Sequence, residues 1–249
     1  MRMATRWLTI GASIGLICSF GTAQQTTHNR PLPLISIIEA LENAQVRTRP
    51  RVSYQVIREY HLSGARDSKS DSHVIAEVDF RPPTSKNYRI QKSSGSDRGQ
   101  HVVRRILDNE IDSASTDNQA RTALSRDNYD FAYIGEVILD GQPCYLLGLK
   151  PKRKERNLIS GQVWVDQHSF LVRQLQGEVA KTPSWWLKKV SVKLGFADLD
   201  GNWLQSNVEA VADVRVFGSH TLTSHILVYR VADEVASATS RMPSQNRKP

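Results

Sequence analysis

Cysteine is nearly absent from this chain. Two occur in 249 residues, Cys18 and Cys144, and Cys18 sits inside a leader-like segment, so the rest of the chain has no internal disulfide. Stability must come from a packed core, even in a compartment that permits disulfides. Long apolar runs are also scarce. Only Trp7 to Phe20 qualifies, and no later segment approaches the roughly 20 residues that a bilayer-spanning helix needs. There is no Gly-rich phosphate loop, and Ser94-Gly95-Ser96 does not match the Gly-x-Ser-x-Gly turn of a serine hydrolase. No internal repeat is visible. These absences exclude a disulfide-stapled scaffold, a bundle of membrane helices, a P-loop enzyme and a solenoid.

The N-terminus has the three parts of an export signal. Arg2 and Arg6 supply positive charge, Trp7 to Phe20 the apolar stretch, and Gly21-Thr22-Ala23 the small residues. Cleavage is expected after Ala23, which places the protein in the periplasm or outside the cell, with an uncleaved anchor as the alternative. Lipidation at Cys18 is not expected, because Leu16 and Ile17 are too bulky for the positions before a lipidated cysteine. The formal net charge is +8 and the pI about 9.6. Such a balance draws an exported protein to anionic membrane surfaces or acidic partners, although solubility alone accounts for it equally well. Nucleic acid is not expected as a partner.

The chain divides into a signal peptide (1–23), a flexible lead-in (24–33), one domain (34–231) and a polar, disordered tail (232–249). Ile37, Ile38, Leu41 and Ala44 form one stripe of an amphipathic helix that ends before Arg49-Pro50. Strands follow: one with Tyr54 and Val56 in phase, one with Val74, Ala76, Val78 and Phe80, and a short third through Tyr88 and Ile90. Residues 93–128 read as an insert, part helix (Val102, Val103, Ile106, Leu107) and part polar loop.

From Asp140 to Gln176 the alternation is clearest. Tyr145, Leu147 and Leu149 share a face, as do Val163 and Val165 opposite Trp164. Asp166-Gln167-His168 turns the chain, and Leu171, Arg173 and Leu175 are expected opposite Phe170 and Val172. A basic hairpin runs from Lys150 to Arg156. Trp185 and Trp186 open a further strand in which Val190, Val192, Leu194 and Phe196 share a face. A long strand from Trp203 to Val216 and a last one through Leu222, Ile226 and Val228 complete the run. Short hairpins imply antiparallel pairing. The expected fold is mainly β (α+β): a strongly curved antiparallel sheet, an incomplete β-barrel, with one to three helices over its concave side.

Candidate chemistry is thin. His220 and His225 fall on opposite faces of a strand, and His61, His73, His101 and His168 have no partner at metal-ligand spacing along the chain. Asp198 to Asn202 is better read as a hairpin turn than a calcium loop. No metal, cofactor or catalytic residue is expected, and Cys144 is expected to be buried packing.

The succession Tyr145-Leu146-Leu147, Lys150-Pro151-Lys152, Val163-Trp164-Val165-Asp166 and the strand with Arg173 resembles the outer-membrane lipoprotein-sorting carriers (LolA/LolB-like) over residues 34–231. The resemblance implies a half-barrel whose apolar interior receives acyl chains. The expectation is therefore a monomeric, non-enzymatic exported protein that binds a lipid or a lipoprotein's acyl chain and serves in sorting or transport. Val163, Val165, Leu171, Val190, Val192, Leu194 and Phe196 are its candidate cavity face. Lys150, Lys152, Arg153, Lys154, Arg156, Trp185 and Trp186 are the candidate surface for a membrane or partner protein. The alternatives are an envelope interaction module with a solid core and a basic rim, and then a hydrolase of an envelope lipid or glycan.

Overall fold

The structure is a computed structural model that describes residues 32–64, 71–216 and 218–231. The expected signal peptide, most of the expected lead-in, Cys18 and the expected C-terminal tail lie outside the described residues, as does most of the polar link after β1. The chain runs α1 (Leu34–Arg47), β1 (Tyr54–Gly64), β2 (Ser72–Arg81), β3 (Ser85–Gly95), α2 (Asp97–Ser113), α3 (Thr116–Thr122), β4 (Tyr129–Leu139), β5 (Gln142–Pro151), β6 (Ile159–Asp166), β7 (Val172–Val179), β8 (Leu187–Leu199), β9 (Asn202–Val214) and β10 (Gly218–Val231).

All ten strands join one antiparallel sheet in the order β3-β2-β1-β10-β9-β8-β7-β6-β5-β4. The sheet is open, as an incomplete barrel requires, because β3 and β4 are its two edges. Between them in sequence lie α2 and α3, so the chain leaves the sheet at one edge and re-enters at the other. Asp140-Gly141 and Asp200-Gly201 make the tight turns, each residue with positive φ, the backbone that two-residue hairpins of matching twist demand.

The helices cover one face, called inner here, in two separate places. α1 buries Ile37, Ile38, Leu41 and Ala44, the stripe its spacing predicts. Ile37 and Leu41 join Tyr145, Leu147, Leu149, Val163, Val165, Val172 and Leu175 in a cluster on the β4–β7 half. α2 is capped by Ser96, whose hydroxyl accepts the Gly99 amide at 3.0 Å. Its Val103 and Leu107 join Tyr54, Val56, Tyr60, Val74, Val78, Phe80 and Leu222 in a second cluster on the β1–β3 and β10 half. Each fully buried Ile, Leu or Val in either cluster contributes about 1.5–3 kcal/mol. Cys144 is fully buried in β5, and burial holds its thiol above the ordinary range, so it packs as a small hydrophobe.

Three local expectations are corrected. Val172, not Leu171, points into the core with Leu175, because a bulge between Trp164 and Val165 shifts the register of β6 against β7. Val216 is 88% exposed in the turn after β9 rather than inside the strand. β3 is longer than its apolar residues suggest: it pairs with β2 from Ser85 to Gly95, so the helical insert begins only at Ser96.

Candidate functional site

Two clusters on one sheet face leave a seam. β8 leans to one side, with Leu194 and Phe196 half-buried against the α1-covered cluster. β9 leans to the other, with Leu204 and Ala210 against the α2-covered cluster. Val190, Val192, Val208 and Ala212 are half-buried between them and belong to neither cluster. Two of the candidate cavity residues, Val190 and Val192, therefore lie on the seam, and Leu194 and Phe196 border it. Val163 and Val165 do not: they are fully buried beneath α1, where they are core. Leu171 lies in the turn before β7.

At one end of the seam is a cavity of about 280 Å³, under the C-terminal end of α2. Tyr54, Val56, Phe80, Leu204 and Ile226 give it apolar walls, and Arg58, Lys86 and Glu110 bring charge to it. Arg58 occupies an inward position of β1 between Val56 and Tyr60 and is 5% exposed. One guanidinium nitrogen donates to the Gln205 carbonyl. Its Nε has no protein partner among the described residues, and neither has the Tyr60 hydroxyl. Lys86 pairs with Glu110. Burial works against the Glu110 charge, but Lys86 and then Arg58 outweigh it and hold the carboxyl below its ordinary range. Burial, and then the Glu110 carboxylate, push the hydroxyls of Tyr54 and Tyr60 far above theirs, so both remain neutral. The site thus joins apolar walls to a buried cation with one donor to spare. Sequence reasoning missed these three charged residues. An arginine in the inward phase of an alternating strand was the available signal.

The basic and aromatic candidates gather at the opposite end of the sheet, where β5 ends and β8 and β10 begin. Trp185 is 84% exposed and Trp186 38%, both ahead of β8 rather than in it, and Arg215 holds the Trp185 carbonyl at 3.1 Å. The basic hairpin is divided. Arg153 is committed to the fold: it donates to Glu155 at 3.0 Å and to the Asn128 side chain at 2.7 Å. Lys152 reaches the Arg126 carbonyl. Lys150, Lys154 and Arg156 are exposed and make no ion pair among the described residues.

On the outer face the structure assembles a group that spacing along the chain kept apart. Glu59 and His61 of β1, His73 of β2 and His225 of β10 share that face. The ligand atoms of Glu59, His61 and His73 all lie within 4.8 Å of one another. His220 points to the inner face, as its spacing from His225 predicts.

No protein-family model matches the chain, and no curated protein matches it. Several solved structures match the chain over most of its length at low identity. An outer membrane lipoprotein-sorting protein domain from Vibrio parahaemolyticus is 12% identical at a TM-score of 0.41, covering 78% of this chain and 91% of that one. A DUF1329 family protein from Desulfovibrio piger is 16% identical at 0.39, covering 78% and 92%. A LolA superfamily protein from Nitrosomonas europaea is 11% identical at 0.36, covering 80% and 93%. Likeness at this level says nothing about what the chain binds.

Proposed function

We propose that this is an exported, non-enzymatic binding protein that holds an acyl chain along the seam, with the chain's oxygen-bearing head at Arg58. The covering of the sheet carries this reading: one face is covered in two places, half-buried residues lie between them, and a cavity opens within the α2-covered half. Small-molecule sites usually occupy about 300–1,000 Å³. At 280 Å³ the cavity takes a chain segment and a head, not a whole phospholipid. Each methylene removed from water contributes about 0.8 kcal/mol. The Arg58 guanidinium in the cavity wall suits a carboxylate or an ester carbonyl, because hydrogen bonds to a charged donor are the strong ones.

The test is extraction of the purified protein with organic solvent and mass spectrometry of what co-purifies. Acyl lipid near one per chain is expected. Ile226→Trp, which fills the cavity, should reduce it at least tenfold while the chain stays folded. A protein that emerges empty and also ignores added fatty acid overturns the reading.

A second reading rests on the Trp185 end, where an exposed aromatic and unpaired basic residues coincide. That end suits an anionic membrane surface, or an acidic partner protein of the envelope.

A further inference from the structure

We infer that Glu59, His61, His73 and His225 form a binding site for a divalent transition-metal ion of the zinc and copper class, bridging β2, β1 and β10 on the outer face. The site is separate from the inner cavity and stands whether or not the chain binds lipid.

Register puts the four side chains together. His61 lies directly opposite His73 across the β1–β2 pair, and Glu59 directly opposite His225 across the β1–β10 pair. Glu59 and His61 are two apart on one strand, so they share a face. The contacts follow this frame. One Glu59 oxygen hydrogen-bonds His73 Nε2, and the other is 3.0 Å from His225 Nε2. The His61 and His73 rings stack with centroids 4.7 Å apart at 29°.

The donor set selects the ion. Imidazole suits zinc, copper and nickel, while calcium and magnesium require oxygen ligands. Three imidazoles and one carboxylate match a four-coordinate zinc site. With metal–ligand bonds of about 2.0–2.1 Å, tetrahedral ligand atoms stand about 3.3 Å apart. The ligand atoms of Glu59, His61 and His73 lie within 4.8 Å of one another and close on an ion by side-chain rotation, and His225 joins from its place 3.0 Å from Glu59. The carboxylate is already in place, one oxygen on His73 and the other beside His225. The side chains are 21% (Glu59), 26% (His73) and 55% (His225) exposed, so an ion enters directly from solvent.

A simpler role for Glu59 is an ion-pair acceptor for protonated histidines. That role accounts for His73 and His225 but leaves His61 unexplained, since it stacks on His73 and makes no bond to Glu59. A shared ion uses all four. It also ties β10 to β1, the pairing that joins β1–β3 to the rest of the sheet.

The experiment uses the full exported chain without a polyhistidine tag, stripped with chelator and titrated calorimetrically with zinc chloride and, separately, copper(II). One ion per chain is expected. Zinc at 100 times its dissociation constant should raise the melting temperature by about 5–10 °C. His61→Ala, His73→Ala and Glu59→Gln should each weaken binding at least tenfold, whereas His101→Ala and His220→Ala should leave it unchanged. His61 is exposed, so His61→Ala keeps the test valid if another variant fails to fold. Binding that survives His61→Ala and His73→Ala, binding that calcium satisfies equally, or no stoichiometric binding overturns the inference.

Discussion

Asp166 shows how much one side chain can organise. It is 3% exposed and accepts the His168 amide at 3.0 Å, the Ser169 amide at 2.8 Å, the Ser169 hydroxyl at 2.9 Å and Arg173 Nε at 2.7 Å. Burial alone would raise its pKa. The hydrogen bonds, led by the Ser169 amide and the Arg173 side chain, instead bring it from 3.8 down to about 2. Because the folded value lies below the unfolded one, this carboxylate adds stability at pH values above about 4, and the gain is lost as pH falls toward 2. The amount is about 2 kcal/mol. Urea unfolding at pH 7 and pH 3 should show about half of that loss, and Asp166→Ala should unfold about 3 kcal/mol more easily at pH 7 with a flatter acid slope. An Asp166→Ala protein that keeps the parent's acid slope would show that other carboxylates set it. The same four-bond turn was visible as Asp166-Gln167-His168 in the sequence, though its link to Arg173 needed the fold.

The β6–β7 hairpin shows what the elements demand of each other. Gly161 and Gly177 face each other across it. A Cβ on Gly177 would come within 2.2 Å of the Ser160 carbonyl oxygen and 2.8 Å of Gly161 Cα. Backbone cannot yield as a side-chain tip can, so Gly177→Ala should cost about 2 kcal/mol or more in chemical denaturation. Gly161→Ala should cost a similar amount, and the pair together less than the sum, since either alone already forces the strands apart. A neutral Gly177→Ala would mean that the strands pair less closely here. Such close approaches cannot be read from one strand. What could be read was periodicity: the α1 stripe, the Tyr145-Leu147-Leu149 face and Val163 with Val165 all point as their spacing requires. The misreadings have a common cause. Bulges, such as the one that replaces Leu171 by Val172, interrupt the period of two, and cross-strand groups, such as Glu59 with His73 and His225, depend on register that a single strand does not encode. Two of the seven candidate cavity residues, Val163 and Val165, proved to be core for a different reason: alternation tells which face a residue occupies, not whether a helix lies on it.

At the scale of the whole molecule, opposite ends of one sheet carry opposite chemistry. The Arg58 cavity is at one end, and Trp185, Val216 and the exposed Lys150, Lys154 and Arg156 are at the other. If the second end meets anionic membranes, each basic residue near the surface adds about 1 kcal/mol, screened by salt. Flotation with vesicles containing anionic lipid should then show binding that falls several-fold between low and physiological salt, and Trp185→Ala should weaken it further. Equal binding to neutral vesicles, or none, removes that role. The strand order has a consequence for how this molecule is made. β1 pairs with β10 along its whole length, so the cluster around Tyr54, Val56 and Val74 stays incomplete until Leu222 and Ile226 arrive. Closing that pairing brings together residues more than 150 positions apart, a slow step because so long a loop must close first. A ribosome making this chain therefore releases its first three strands long before their neighbour exists, and the α2-covered half of the core is the last part that can be completed.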